Sequence, residues 1–492
     1  MSRFPAPLFA PLLGALTVLG FAPFHLFPLP LVTLPFLLFR RAGSPRRAAW
    51  IGFLWGLGFF LAGVSWVYIS MHDFGGMPAV VAALATLFFC AYLALFPALS
   101  GWLFARLRSG IPWRDTLLIA GAWTLAEWLR GWLLTGFPWL ALGYSQAPPS
   151  PLAGYAPLLG VYGVGYVSAL LAALLAALLI RPSWRSALII LIILLVGQAL
   201  QRMAWTQPEG PALTVSLLQG NIAQSLKWEP ERLPQSLGTY ARLAREHPAQ
   251  LTVLPETALP LFYDQLPADY LAAITVRGPA LVGVAMRTLD GGYTNAAVAV
   301  TEVGVKPQVY AKSHLVPFGE YVPPGFSWFL ALMNIPMSDF SAGPRVQAPL
   351  ALAGQRLAAN ICYEDLFGEE IIRALPAASL LVNLSNTAWF GDSLAQPQHL
   401  QIAQLRALET GRFMLRATNT GMTAAVRPDG VVAAALPAFA GDALTVEVRG
   451  YAGMTPYVRW GNTIAVLLAL LAFLPAVMTR RRSRRDFLRS SG

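Results

Sequence analysis

Three residues in this chain are placed to do covalent chemistry together: Glu256, Lys312 and Cys362. Each follows an apolar, β-type run: Leu-Thr-Val-Leu-Pro before Glu256, Gln-Val-Tyr-Ala before Lys312 and Leu-Ala-Ala-Asn-Ile before Cys362. Side chains at the carboxyl ends of strands in an open α/β sheet converge on one crevice. The three lie 56 and 50 residues apart, so only the fold can assemble them. A thiol needs a base or a lowered pKa to become a nucleophile. A carboxylate in the apolar setting of Glu256 can serve as that base, and a neighbouring ammonium can stabilise a tetrahedral oxyanion. Together they suit acyl transfer through a thioester. Taken singly, each has an ordinary reading as well: a buried core thiol for Cys362, an ion pair for Glu256 and Lys312. The only other cysteine, Cys90, lies inside a long hydrophobic segment and is no evident disulfide partner.

Composition says what must carry this chemistry. Of 492 residues, 56% are hydrophobic and 12% charged, and mean hydropathy is +0.55. Such values point to a membrane protein with a sizeable water-facing part. Apolar runs at 4–24, 26–39, 49–70, 79–107, 116–134, 156–180, 187–200 and 463–478 read as about eight spans. The first has a basic start like a signal peptide, but no small-residue cleavage site follows, so it reads as an uncleaved span. The net charge of +11 sits in clusters flanking these spans: Arg40, Arg41, Arg46 and Arg47; Arg106, Arg108 and Arg114; Arg181 and Arg185; and a tail from Arg480 to Arg489. That placement is a topology signal. It puts both termini in the cytoplasm and the stretch from Gln201 to about Arg459 outside, in the periplasm of a bacterial inner membrane. A nucleic-acid partner is not expected, because the polar part has no basic face interleaved with aromatics.

Within the spans, Gly52 and Gly56 fit small-residue helix packing, as does the stretch from Gly160 to Gly165, which resembles a phosphate loop only superficially. Glu127 and Arg130, one helical turn apart, are expected to pair. The outward part changes character, with short β-type runs alternating with amphipathic helices at 230–246, 268–276, 367–374 and 396–411. Alternation of this kind argues a layered α/β domain. The domain boundaries are read as a seven-span bundle at 1–204, a catalytic domain at 205–455, and a last span with its basic tail at 456–492.

Longer motifs surround the three residues: Leu-Pro-Glu256-Thr, Lys312-Ser-His-Leu-Val-Pro-Phe-Gly-Glu320-Tyr-Val-Pro and Ile-Cys362-Tyr-Glu364. With Gln219-Gly-Asn-Ile-Ala-Gln-Ser-Leu-Lys-Trp228, Tyr293-Thr-Asn295, Ser385-Asn-Thr-Ala-Trp-Phe-Gly391 and Arg416-Ala-Thr-Asn-Thr-Gly421, they resemble the nitrilase (carbon–nitrogen hydrolase) superfamily. Across nearly the whole chain the resemblance is to its membrane-embedded branch, the apolipoprotein N-acyltransferases. It implies an αββα sandwich on an eight-span helical membrane bundle, with Glu256 as base, Lys312 as oxyanion stabiliser and Cys362 as nucleophile. It further implies a supporting carboxylate at Glu320, Tyr363 and Glu364 flanking the nucleophile, and the Tyr363 N–H completing the oxyanion site. Trp228, Asn295 and Trp389 are expected to line the substrate entrance. The implied donor is a phospholipid, typically phosphatidylethanolamine, and the implied acceptor is the amine of diacylglyceryl-cysteine on an apolipoprotein.

Other readings stay open at this level. A membrane-tethered amide or nitrile hydrolase would use the same three residues, with water resolving the thioester. A cysteine–histidine enzyme would need His314 or His399 as base, and neither is tied by sequence to an orienting group. Five scattered histidines without an HExxH or CxxC pattern give no metal site, and no cofactor is expected. A transport or scaffold role would leave the three residues unexplained. The apolar stretch 326–334, punctuated by Pro and Gly, is expected to form a membrane-facing lid.

Overall fold

The computed structural model describes residues 6–34, 39, 42–224, 230–325 and 339–476. The expected lid at 326–334 and Trp228 therefore lie outside the described residues. The chain divides into two compact units, one of residues 1–65, 83–203 and 460–492, the other of 66–82 and 204–459.

The first unit is helical. Among the described residues three helices, Pro45–Val64, Ala79–Leu107 and Pro151–Ile180, are long and apolar enough to cross a membrane. Pro7–Gly20, Trp184–Leu200 and Thr463–Ala476 are apolar but shorter. The run expected as the fifth span is a 19-residue helix, Pro112–Arg130, but Arg114, Asp115, Glu127 and Arg130 reduce its apolar character. The second expected span shows only a five-residue helix, Leu29–Thr33, among the described residues. Gly52 and Gly56 do mediate packing: a Cβ on Gly52 would meet the Pro97 carbonyl oxygen at 2.4 Å, and one on Gly56 the Ala94 Cα at 2.9 Å. Gly160 instead takes φ 67° and kinks its helix, so the Gly160–Gly165 stretch is not uniform helix. Glu127 and Arg130 approach to 3.8 Å, both buried. Both side chains also bond the following loop. Arg130 Nη1 donates to the carbonyls of Phe137 and Trp139 at 2.7 and 2.6 Å, and Glu127 Oε1 accepts the Leu142 N–H at 2.8 Å.

The second unit is an αββα sandwich. In chain order its strands are β1 (Thr206–Gln219), β2 (Leu251–Val253), β3 (Ala280–Arg287), β4 (Tyr293–Val300), β5 (Gln308–Ala311) and β6 (Leu350–Leu352), then β7 (Gln355–Ile361), β8 (Leu380–Ser385), β9 (Met414–Thr418), β10 (Ala424–Val426), β11 (Val432–Ala435) and β12 (Asp442–Gly453). They form two six-stranded sheets, ordered β12-β1-β2-β3-β4-β5 and β11-β10-β9-β8-β7-β6. Apolar side chains at alternate positions, such as Val215, Leu217 and Val253 on one sheet and Ile361, Val382 and Leu384 on the other, fill the space between the sheets. Full burial stabilises by about 1.5–3 kcal/mol for each Val, Leu or Ile side chain. Helices Leu233–Glu246 and Ala268–Thr275 cover the first sheet through Tyr240, Leu243 and Ile274. Helix Ala395–Thr410 covers the second through Leu400, Ala403 and Ala407. The central pairs β1–β2, β2–β3, β7–β8 and β8–β9 are parallel.

One glycine fixes how closely a loop can approach the first sheet. A Cβ on Gly283 of β3 would meet the Pro255 carbonyl oxygen at 2.1 Å and the Glu256 Cα at 2.7 Å. Gly283→Ala should therefore push the Glu256 loop outward and cost about 1–3 kcal/mol, as overpacked substitutions do. A fall in melting temperature together with a large fall in activity is expected; an unchanged activity would show that the loop has room to spare.

Candidate active site

Glu256 leaves the end of β2, Lys312 the end of β5 and Cys362 the end of β7, so two residues come from one sheet and the third from the other. The convergence expected of a single open sheet is thus made between two. Lys312 is 1% exposed, and Glu256 and Glu320 are buried beside it. Its ammonium donates to Glu256 Oε1 at 3.2 Å and to Glu320 Oε1 at 2.9 Å. Asn295 Nδ2 donates to the same two oxygens at 2.7 and 2.9 Å. The opposite amide orientation would aim a carbonyl oxygen at two carboxylates. The outer oxygens are held by backbone: Glu256 Oε2 accepts the Asn386 N–H and Glu320 Oε2 the Val316 N–H, each at 2.8 Å. Two carboxylates, one ammonium and one amide therefore form a closed buried cluster.

Asn295, expected at the substrate entrance, bridges the two carboxylates inside this cluster. Trp389 sits in the 3-10 turn Thr387–Phe390, which follows Asn386. Its carbonyl accepts the Ser70 hydroxyl at 2.7 Å and its ring meets Phe74 edge-on at 6.1 Å.

Burial alone would lower the proton affinity of Lys312, but the charges of Glu256 and Glu320 outweigh it and hold the ammonium above the ordinary lysine range. Burial pushes the Cys362 thiol up, Glu256 adds to the shift, and Lys312 pulls the other way. The resting thiol is consequently protonated at neutral pH, and its attack requires a base. Cys362 opens the 3-10 turn Cys362–Leu366 with φ 51°. For a residue with a Cβ, this left-handed conformation costs about 1–2 kcal/mol, and such strain persists only where the surroundings over-determine it.

Glu364 belongs to those surroundings. Its Oε2 accepts the Ile361 N–H at 2.7 Å, just before Cys362, while its Oε1 accepts the N–H groups of Ser313 and His314 at 2.7 and 3.1 Å. The Tyr310 hydroxyl adds 2.9 Å bonds to both oxygens. Burial raises this carboxyl, against the pull of Lys312 and the three N–H groups. Glu364 thus ties the turn after β7 to the chain after β5. Tyr363 is buried, edge-on to His314 at 5.6 Å and to Phe367 at 5.1 Å.

Comparison with known proteins identifies the family. The apolipoprotein N-acyltransferase N-terminal domain matches residues 13–174, and the carbon–nitrogen hydrolase domain matches 214–457. The apolipoprotein N-acyltransferase of Nitrosomonas europaea is 52% identical over 97% of this chain and 98% of its own. This chain belongs to the apolipoprotein N-acyltransferase family. The namesakes from Ralstonia nicotianae and Chromobacterium violaceum are 48% and 50% identical, over 98% and 94% of this chain and 94% and 93% of theirs. Among solved structures, an amidase of the nitrilase superfamily from Nesterenkonia AN1 matches at 20% identity over 51% of this chain and 95% of its own, with a TM-score of 0.38.

Sequence reasoning missed several groups of this apolipoprotein N-acyltransferase family member's site. The N–H donors of Asn386 and Val316 carry no residue-type signal at all. Asn360, Asn383 and Arg416 do carry one, since each interrupts an otherwise apolar strand run. Replacing Asn295 by Leu should leave the paired carboxylates one donor short, at about 1–3 kcal/mol for an unsatisfied buried group. Thermal unfolding should register that loss; an unchanged melting temperature would mean that the bridge contributes nothing.

Proposed function

We propose that Glu256, Lys312 and Cys362 transfer an acyl chain from a phospholipid, through a thioester, to the N-terminal amine of diacylglyceryl-cysteine in apolipoproteins. The observation that supports the residue roles is the buried cluster of Lys312, Glu256, Glu320 and Asn295, together with the left-handed backbone of Cys362. The family match across the whole chain supports the acceptor and the donor class. In the first half-reaction Glu256 takes the thiol proton as Cys362 Sγ attacks the ester carbonyl. Lys312, with the Tyr363 N–H, stabilises the oxyanion. Collapse breaks the ester C–O bond, and Glu256 returns its proton to the departing lysophospholipid oxygen. In the second, the uncharged amine attacks the thioester and Glu256 takes a proton from its nitrogen. The C–S bond then breaks and the thiolate regains that proton, leaving an amide and free enzyme.

Glu320 holds Lys312 in place, Glu364 fixes the turn, and Trp389 borders the substrate path. The donor is phosphatidylethanolamine. The chain spans a bacterial inner membrane about eight times, with the bundle at 1–204, the catalytic domain at 205–455 in the periplasm, and the last span and cytoplasmic tail at 456–492. The arginine placement supports this topology. The amide-hydrolase reading is less favoured, because the family's membrane region at 13–174 is matched along with the hydrolase-type domain.

The test supplies acyl-labelled phosphatidylethanolamine and then a diacylglyceryl-cysteinyl peptide to the purified protein. Label should appear in the peptide as a stable amide. Release of free fatty acid without amide would favour the hydrolase. Lys312→Met should slow transfer by about a hundredfold, the scale of one lost oxyanion donor. Lys312→Arg should not restore it, because the planar fork aims its donors differently.

A further inference from the structure

A second buried polar cluster lies on the far face of the nucleophile's sheet. Asn360, Asn383 and Arg416 stand in lateral register across β7, β8 and β9. The two-residue period of each strand turns them to the face where Ala358, Leu381 and Met414 meet helix Ala395–Thr410. His399 comes from that helix and Asp365 from the nucleophile's own turn. All five are 3% exposed or less.

The hydrogen bonds form a directed chain. Arg416 Nη1 donates to Asp365 Oδ2 at 3.0 Å and to Asn383 Oδ1 at 2.9 Å, and its Nη2 donates to His399 Nδ1 at 2.7 Å. A guanidinium has only donors, so His399 Nδ1 must accept. The proton therefore sits on Nε2, which donates to Asp365 Oδ1 at 2.7 Å. Burial, and then Arg416, lower the proton affinity of this imidazole and keep it neutral. Asn383 accepts the Ser385 hydroxyl at 2.6 Å as well as Arg416. This leaves its amide nitrogen to donate to Asn360 Oδ1 at 2.7 Å and to the Cys362 carbonyl at 3.2 Å.

We propose that Arg416, His399 and Asp365 are positioning residues that, through Asn383, hold Cys362 in its left-handed conformation and aim its thiol. A buried ion pair is often no better for stability than well-packed apolar residues of the same volume. What this cluster supplies, and apolar packing cannot, is two directed anchors on one turn: Asp365, three residues past the nucleophile, and the nucleophile's own carbonyl. Glu364 clamps the other side of the turn at the Ile361 N–H. The strained residue is thus gripped from both sheet faces. The inference rests on Cys362 being the nucleophile.

The test compares His399→Gln and His399→Leu in the purified full-length protein. A glutamine amide presents one donor and one acceptor, matching the imidazole tautomer, whereas leucine presents neither. His399→Gln should keep kcat for acyl-enzyme formation near wild type. His399→Leu should lose about a hundredfold in kcat, the scale of a roughly 1 Å misplacement, with KM for phospholipid unchanged. If the leucine variant does not fold, Asn383→Ala, which removes the donor to the Cys362 carbonyl together with the bonds to Asn360, Ser385 and Arg416, should show the same fall in kcat at constant KM. Near-wild-type kcat in a folded leucine or alanine variant overturns the proposal, as does a glutamine variant as impaired as leucine. Cys362→Ala is run in parallel; activity there would remove the nucleophile assignment and leave the positioning claim without its object.

Discussion

The structure of the catalytic unit depends on one constraint, the burial of the Lys312 ammonium. Moving such a charge out of water costs several kcal/mol even after relaxation, so partners must surround it before the site can close. Glu256 and Glu320 supply opposite charge, Asn295 keeps their facing oxygens apart, and the N–H groups of Asn386 and Val316 take the outer oxygens. Those partners come from four separate stretches of the chain, with Val316 and Glu320 sharing one. The two-sheet sandwich is what brings them within reach. In the proposed reaction the same arrangement would serve catalysis, because a cation fixed in place stabilises a developing oxyanion without reorganising.

Around this centre the fold supports the strained Cys362, the proposed nucleophile, from several directions. Glu364 joins the Cys362 turn to the chain after β5, and the Asp365–His399–Arg416 cluster grips it from the helix side. Segment 66–82 joins the same unit. Trp66 packs on Phe390 at 4.5 Å and Ser70 bonds the Trp389 carbonyl. That turn begins beside Asn386, whose N–H holds Glu256. Trp66 and Ser70, at the end of the run expected as the third span, thereby support the turn next to the Asn386 N–H that holds Glu256.

Much of this was legible in the sequence, and the physical reasons separate what was from what was not. Glu256, Lys312 and Cys362 could be found because reactive groups after apolar runs stand out, and the long motifs around them tied them to one family. The central strands and covering helices could be read from periodicity. The edge strand β12 escaped notice even though its residues alternate between outer and inner faces, because it pairs with β1 from more than two hundred residues away. The bridge that Asn295 makes between two carboxylates has no signature in the sequence, which does not say which way an amide on a buried strand points. Backbone donors such as Asn386 have no side-chain signature. The count of eight spans leaned on apolar runs alone, whereas Pro112–Arg130 shows a helix whose charges are spent on a loop, with Glu127 and Arg130 holding residues 137–142.

The central claim is that Cys362 carries the acyl group between donor and acceptor. Intact-mass and peptide mass spectrometry of the protein incubated with phospholipid alone tests it most directly. The account predicts a mass increase of one acyl chain, mapped to the peptide containing Cys362, cleaved by hydroxylamine and discharged when the amine acceptor is added. An unmodified Cys362 under conditions where transfer proceeds, or an adduct on another residue, would contradict it.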